Sequence, residues 1–220
     1  MLRVSLIGAG DTEFHYEELL GLSREDYEGH VKGIAESLGR SGVELVILPD
    51  RGVSYEVAKR FRQVSENKIH GTVPNSDKDF GIKHLEEYIK GEVDGKKIVS
   101  DIVDTGTWYK QDLTHCLYGD VILMMGRSTG SLGELSYAYY LYKLFGGKKP
   151  EVQARKKQIH PDIIAGDNMP LSVIIYMPFH TSRLSKEEEA YIRKFEGEVY
   201  YVDDPERLEQ ALKEMQGAQP

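Results

Sequence analysis

Asp120-Val-Ile-Leu-Met-Met-Gly-Arg-Ser-Thr-Gly-Ser-Leu-Gly-Glu134 is the stretch from which the rest of the chain can be read. An apolar run stops at a small, polar, glycine-containing turn, and helical spacing begins at once. A strand that passes through a tight loop into a helix leaves unpaired backbone N–H groups and the positive end of the helix dipole facing the loop. That geometry suits an anion such as a phosphate. Glu134 falls within the first helical turn, where a bare phosphate cradle has no need of a carboxylate.

Working outward, short β-like runs alternate with helical patterns. Leu2–Ile7, Glu44–Leu48, Lys68–Val73, Ile98–Val103, Asp120–Met125, Leu171–Met177 and Val199–Val202 read as strands. Several are continuously apolar, the pattern of strands covered by helices on both faces of a parallel sheet. Val31, Ile34, Ala35 and Leu38 form one helical stripe, and Leu132, Leu135, Ala138, Tyr139 and Tyr142 form another. The tyrosines Tyr137, Tyr139, Tyr140 and Tyr142 read as core and dimer surface. Ser185-Lys-Glu-Glu188 is a capping box, and Pro205 suits a first helical turn. The β-α order predicts an α/β, Rossmann-like open parallel sheet sandwiched between helices, a single domain over 1–220.

Two segments break the alternation. Gly8–Gly29 carries seven acidic residues against Arg24 alone. Gly146–Pro170, with 147–170 read as a loop insertion, holds Lys148, Lys149, Arg155, Lys156 and Lys157, broken by Pro150 and Pro161. It reads as a solvated surface loop or as a basic flap over an anionic ligand.

Bulk properties narrow the function. The 220 residues are 40% hydrophobic and 29% charged, an ordinary globular balance. A net charge of −8 argues against general nucleic-acid binding, which needs a basic surface. The single cysteine, Cys116, excludes an internal disulfide and a thiolate metal cluster and fits a reducing, cytoplasmic setting. No secretory leader is read at the start, and no apolar run approaches the roughly 20 residues that span a bilayer.

In an open parallel sheet, ligands bind beyond the carboxyl ends of the strands, where strand order reverses. Four turns are expected there: Gly8-Ala-Gly10, Pro49-Asp-Arg-Gly52, Asp104-Thr-Gly106 and Gly126–Glu134. The candidate ligand-binding residues are therefore Gly8, Gly10, Arg51, Gly52, Thr105, Gly106, Arg127, Ser128, Thr129, Gly130 and Ser131, with Glu134 as the catalytic or orienting group. Gly8-Ala-Gly10-Asp-Thr-Glu13 opens like a dinucleotide fingerprint, and Asp50 stands where such proteins hold a ribose. Glu13, however, occupies the third glycine's place and would repel a pyrophosphate. Arg51 reads as a phosphate partner or as a surface arginine beside a tight turn. Glu134 also has two readings, because Ser131-x-x-Glu134 is itself a capping box. No Walker loop and no Gly-x-Ser-x-Gly elbow occurs. The seven histidines form no His-x-x-x-His pair, so no metal site is expected.

The segment Asp120–Glu134 resembles the proline-glycine-glycine-x-glycine-threonine-x-x-glutamate signature of the LOG ("Lonely Guy") family. That family belongs to the SLOG superfamily, which includes molybdenum-cofactor carrier-like proteins. Gly130 falls on the final glycine, Ser131 on the threonine and Glu134 on the glutamate. Gly52-Val-Ser-Tyr-Glu-Val-Ala58 is similar to the family's second glycine-rich element, and Tyr201–Glu206 with its helix to the usual ending. The resemblance implies a homodimer and a nucleotide-like ligand. In LOG members it implies cleavage of the base–ribose bond of nucleoside monophosphates, with Glu134 stabilising a cationic ribosyl centre or positioning water. Three positions depart from the pattern. Gly126-Arg-Ser128 replaces the proline and paired glycines, Tyr55 replaces a glycine, and the upstream arginine falls at Gln111 beside Lys110. Neither supplies a planar guanidinium, so binding is better supported than hydrolysis.

Overall fold

The computed structural model describes residues 1–108, 110–111, 115–145 and 171–217. Seven strands form one sheet: β1 (Arg3–Gly8), β2 (Glu44–Ile47), β3 (Ile69–Val73), β6 (Asp101–Asp104), β7 (Val121–Met125), β8 (Ser172–Tyr176) and β9 (Val199–Val202). Their order is β6-β3-β2-β1-β7-β8-β9, and every neighbouring pair is parallel. β4 (Glu92–Val93) and β5 (Lys96–Lys97) form a separate hairpin closed by Asp94 and Gly95, both at positive φ. The helices are α1 (Arg24–Arg40), α2 (Val53–Val64), α3 (Gly81–Ile89), α4 (Thr129–Phe145), α5 (Lys186–Lys194) and α6 (Pro205–Gly217). The expected Rossmann-like sandwich is the fold observed. The loop insertion read at 147–170 lies outside the described residues.

Two buried clusters follow from the period of two along each strand. Leu2, Val4, Leu6 and Leu123 face α1, α2 and α6, together with Ile34, Phe61 and Leu212. Ile7, Ile122, Met124 and Ile175 face the other way, onto Leu135 and Ala138 of α4 and Ile192 of α5. With both faces covered, β1, β3, β7 and β8 lose their solvent contact almost throughout, which explains the unbroken apolar run of β7 and the apolar stretch Val173–Tyr176 of β8. The tyrosines of α4 divide as expected of an amphipathic helix. Tyr139 and Tyr142 are buried, whereas Tyr137 and Tyr140 are exposed. The Ser185–Glu188 capping box is present, and Pro205 opens α6.

One strand begins later than its apolar run suggests. The stretch Ile98–Val103 pairs with β3 only from Asp101. Ile98 and Val99 instead plug the core beside α2, and the Ile98 N–H donates to the Gly91 carbonyl. The acidic connection after β1 is also more structured than its composition implies. Glu13–Leu19 forms a π-helical segment that buries His15 and Tyr16, so Glu13 opens a helical turn rather than a pyrophosphate cradle.

Strand order reverses between β1 and β7, the innermost pair, and Gly8 is in register with Met125. The loops leaving these two strands therefore diverge from neighbouring points and open a crevice at the carboxyl edge of the sheet.

Candidate functional site

That crevice is a cleft of about 170 Å³. Its rim comes from the turn Gly8–Gly10, from Asp50, Arg51 and Gly52 after β2, from Ser54 at the start of α2, and from Ser128, Gly130, Ser131 and Glu134 after β7. Thr105, Gly106, Arg127 and Thr129 are not part of its lining.

Two helix N-termini meet there. α2 is capped by Gly52, which has no side chain to offer, so no side chain caps the N–H groups of its first turn. Gly52 is at φ +121°, and a Cβ there would stand 2.6 Å from both the Ala9 carbonyl oxygen and Gly10 Cα. The Val53 N–H donates to the same Ala9 carbonyl at 3.2 Å. Across the contact, a Cβ on Gly8 would stand 2.3 Å from Val53 Cγ1. Backbone thus packs directly on backbone, and this brings the open end of α2 beside the β1 turn. Arg51 lies next to those amides and lines the cleft with its side chain exposed.

α4 is organised differently. Its capping pair is Ser128 and Ser131: the Ser131 N–H donates to Ser128 Oγ at 3.1 Å, and the Ser128 N–H to Ser131 Oγ at 2.9 Å. Ser131 Oγ also donates to the Gly126 carbonyl. The helix therefore begins at Thr129, too early for a Ser131–Glu134 box, and the capping reading of Glu134 does not hold. Glu134 is 9% exposed in the second turn and lines the cleft.

The turn at Gly126 is held from outside by two histidines. The Gly126 N–H lies 3.1 Å from His180 Nε2, and the Arg127 N–H donates to His15 Nε2 at 3.3 Å. Tyr16 bridges the two turns, donating to the Met125 carbonyl and accepting from the Ala9 N–H. Burial holds the His180 pKa down to about 4, and the neighbouring Arg127 charge adds to the effect against the pull of the Met124 carbonyl. Burial lowers that of His15 as well. Both rings are therefore neutral near pH 7; His15 Nε2 accepts the Arg127 N–H, and His180 Nε2 lies between the Gly126 N–H and the Met124 carbonyl, at 3.1 and 3.2 Å. Sequence reading missed them because they lie 111 and 54 residues from Gly126 (126 − 15 and 180 − 126).

The remaining candidates are placed elsewhere. The Arg127 guanidinium turns to α5, with Glu188 at 3.2 Å and Ser182 at 3.4 Å. Thr105 is buried beyond β6, where its hydroxyl donates to Gln111 Oε1 at 2.9 Å. Gly106 donates its N–H to Asp104 and sits beside Thr105. Gln111, the position of the family's arginine, is fully buried and passes a hydrogen bond to Thr72 at 2.7 Å. No guanidinium stands there. The cleft instead combines one cation, Arg51, with two carboxylates, Asp50 and Glu134, and the open end of α2. Such a set can hold a phosphate at the helix end and hydroxyl groups at the carboxylates. Among the described residues no group of His, Cys, Asp and Glu could hold a metal ion. Nor is any described helix long and apolar enough to cross a membrane.

No protein-family model matches this chain, and no curated protein sequence is similar to it. Solved structures are. The molybdenum cofactor carrier protein from Chlamydomonas reinhardtii is 14% identical with a TM-score of 0.53, covering 98% of this chain and 98% of that one. The molybdenum cofactor binding protein from Rippkaea orientalis is 13% identical with a TM-score of 0.53, covering 98% and 97%. The structural-genomics target TM1055 is 15% identical with a TM-score of 0.59, covering 97% and 99%. The chain therefore has the fold of the molybdenum cofactor carriers, the group named by the sequence resemblance. At these identities the likeness is one of fold.

Proposed function

We propose that this chain binds a nucleotide-like, phosphate-bearing small molecule at the carboxyl edge of its sheet. The observation that carries this reading is the open N-terminus of α2 packed by Gly52 onto the β1 turn, with Arg51 alongside and Glu134 across the cleft. The phosphate accepts hydrogen bonds from the first-turn amides of α2 and pairs with Arg51, while Asp50 and Glu134 accept from ligand hydroxyls. Molybdenum cofactor, itself phosphate-bearing, belongs to the same ligand class. The net charge of −8 makes nucleic acid a poor partner, and the buried Cys116 suits the cytoplasm. The exposed Tyr137 and Tyr140 of α4 and Tyr191 of α5 support pairing into a homodimer through these helices.

Thermal denaturation with a panel of nucleoside monophosphates and ribose 5-phosphate tests the binding reading. A ligand at 100 times its Kd raises stability by about 2.7 kcal/mol. Arg51→Ala is expected to remove that gain, whereas Arg127→Ala, whose side chain is engaged with Glu188, is expected to keep most of it. If no phosphorylated compound stabilises the protein, the reading fails.

The second reading is N-glycosidic hydrolysis of nucleoside 5′-monophosphates, favoured by the exclusion of Glu134 from the helix cap. Here Glu134 would face the ribosyl carbon as cationic character develops. Wild type should then release free base, and Glu134→Gln, which keeps the shape and loses the charge, should lower kcat by roughly 100-fold or more. Chromatography of the nucleotide incubations decides this, and unchanged nucleotide in all of them leaves binding as the function.

A further inference from the structure

The cleft is smaller than the roughly 300–1,000 Å³ that encloses a whole drug-sized ligand. A nucleotide seated there extends beyond it. One wall leads to an aromatic surface: Asp50, on the rim, is joined at 3.0 Å to His84 Nε2 of α3. The His84 ring stacks on Phe80, with centroids 5.5 Å apart and planes 5° from parallel. Trp108 stands edge-on to both, 5.1 Å from Phe80 and 5.6 Å from His84. Phe80 and Trp108 come from the segments that follow β3 and β6, the two strands beyond β2 at the same edge of the sheet. Phe80 is 56% exposed although it rests against two other rings.

We propose that this trio is the platform on which the planar heterocycle of the ligand stacks while its phosphate occupies the cleft. The inference rests on the proposed phosphate-binding role of the cleft and adds the ligand's second half: a flat, unsaturated ring system of purine or pterin type. Every such ring has a π-face, so stacking recognises flatness without requiring a specific hydrogen-bond pattern. Asp50 serves both halves, lining the cleft and fixing His84, against which Phe80 rests. The indole stands roughly perpendicular to the Phe80 ring, and with 56% of the residue exposed, ring surface remains available to a ligand.

Trp108 is the only tryptophan in the chain, so its fluorescence reports this surface alone. Adenosine and guanosine 5′-monophosphates are expected to bind and change that emission saturably. Ribose 5-phosphate, which fills only the cleft, should stabilise the protein without altering the emission. Phe80→Ala should weaken binding of the two nucleotides roughly 10-fold or more and leave ribose 5-phosphate affinity unchanged. Phe80→Leu, which keeps apolar bulk without a ring, should behave like Phe80→Ala, and Phe80→Tyr should restore binding. The platform is overturned if ribose 5-phosphate binds as tightly as the nucleotides, or if Phe80→Ala weakens both equally. Should neither class stabilise the protein, the phosphate-binding reading fails and the platform with it.

Discussion

Gly52→Ala is expected to lower stability by about 3 kcal/mol and to abolish stabilisation by phosphorylated ligands. Position 52 combines φ +121° with ψ −177°, a region populated almost only by glycine, where a side chain costs about 1–3 kcal/mol. The added Cβ also meets two backbone atoms at 2.6 Å, and neither can rotate away as a side chain would. Relief requires α2 to withdraw from the β1 turn, which opens the cleft at the point where the phosphate is held. For a chain of this size the melting temperature should fall by on the order of 10 °C. Gly10→Ala is the control. Its Cβ would meet only the Arg51 carbonyl oxygen, at 3.6 Å, so a change within about 0.5 kcal/mol is expected. Equal melting temperatures for the two variants would show that the backbone contact at Gly52 does not organise this edge.

Acid is expected to unfold the protein through two histidines, one buried and one half-buried. His115 is fully buried, its Nε2 lies 3.1 Å from the Leu6 carbonyl, and its Nδ1 lies 2.9 Å from the Thr72 hydroxyl. A carbonyl only accepts, so Nε2 carries the proton and the neutral ring accepts from Thr72 at Nδ1. Burial holds the His115 pKa down to about 4, opposed by the Leu6 carbonyl. His180 is also held at about 4. In the unfolded chain a histidine titrates near 6.5, so between about pH 6.5 and 4 the unfolded state binds protons that the folded state refuses. These groups leave stability intact above pH 6.5 and erode it as pH falls toward 4, by roughly 3 kcal/mol for each histidine. Urea titrations in pH steps from 7.5 to about 4 measure the slope. His115→Gln, which retains an amide donor and acceptor without a proton to gain, should shallow it by up to about 1.4 kcal/mol per pH unit. A flat profile in wild type, or an unchanged slope in the variant, would contradict this account.

The layers of the fold were legible because burial on both sheet faces writes continuous apolar runs, and helices write spacings of three and four. Val199–Val202 matched to the residue. Ile98–Val103 did not: apolar character marks burial, and Ile98 and Val99 are buried as a core plug without strand pairing. In the cleft, Gly8, Gly52, Arg51 and Glu134 were found by combining turn chemistry with the rule for parallel sheets. The helix start after β7 was misjudged because Ser128 and Ser131 are both good caps three residues apart. Local spacing cannot rank them, and the hydrogen bond from Ser131 to Gly126 settles the choice. The charge on Arg127 was visible in the sequence, but its engagement with Glu188, 61 positions away, was not.

Periodicity, turn residues and composition are properties of neighbours along the chain, and for this protein they were enough to specify an α/β sandwich and the turns that crowd one edge of its sheet. Which cation faces the cleft, which serine caps α4 and which rings gather around Asp50 depend on contacts between residues tens of positions apart. Those contacts form once β1 lies between β2 and β7, because strand order, which no local pattern encodes, sets which loops become neighbours.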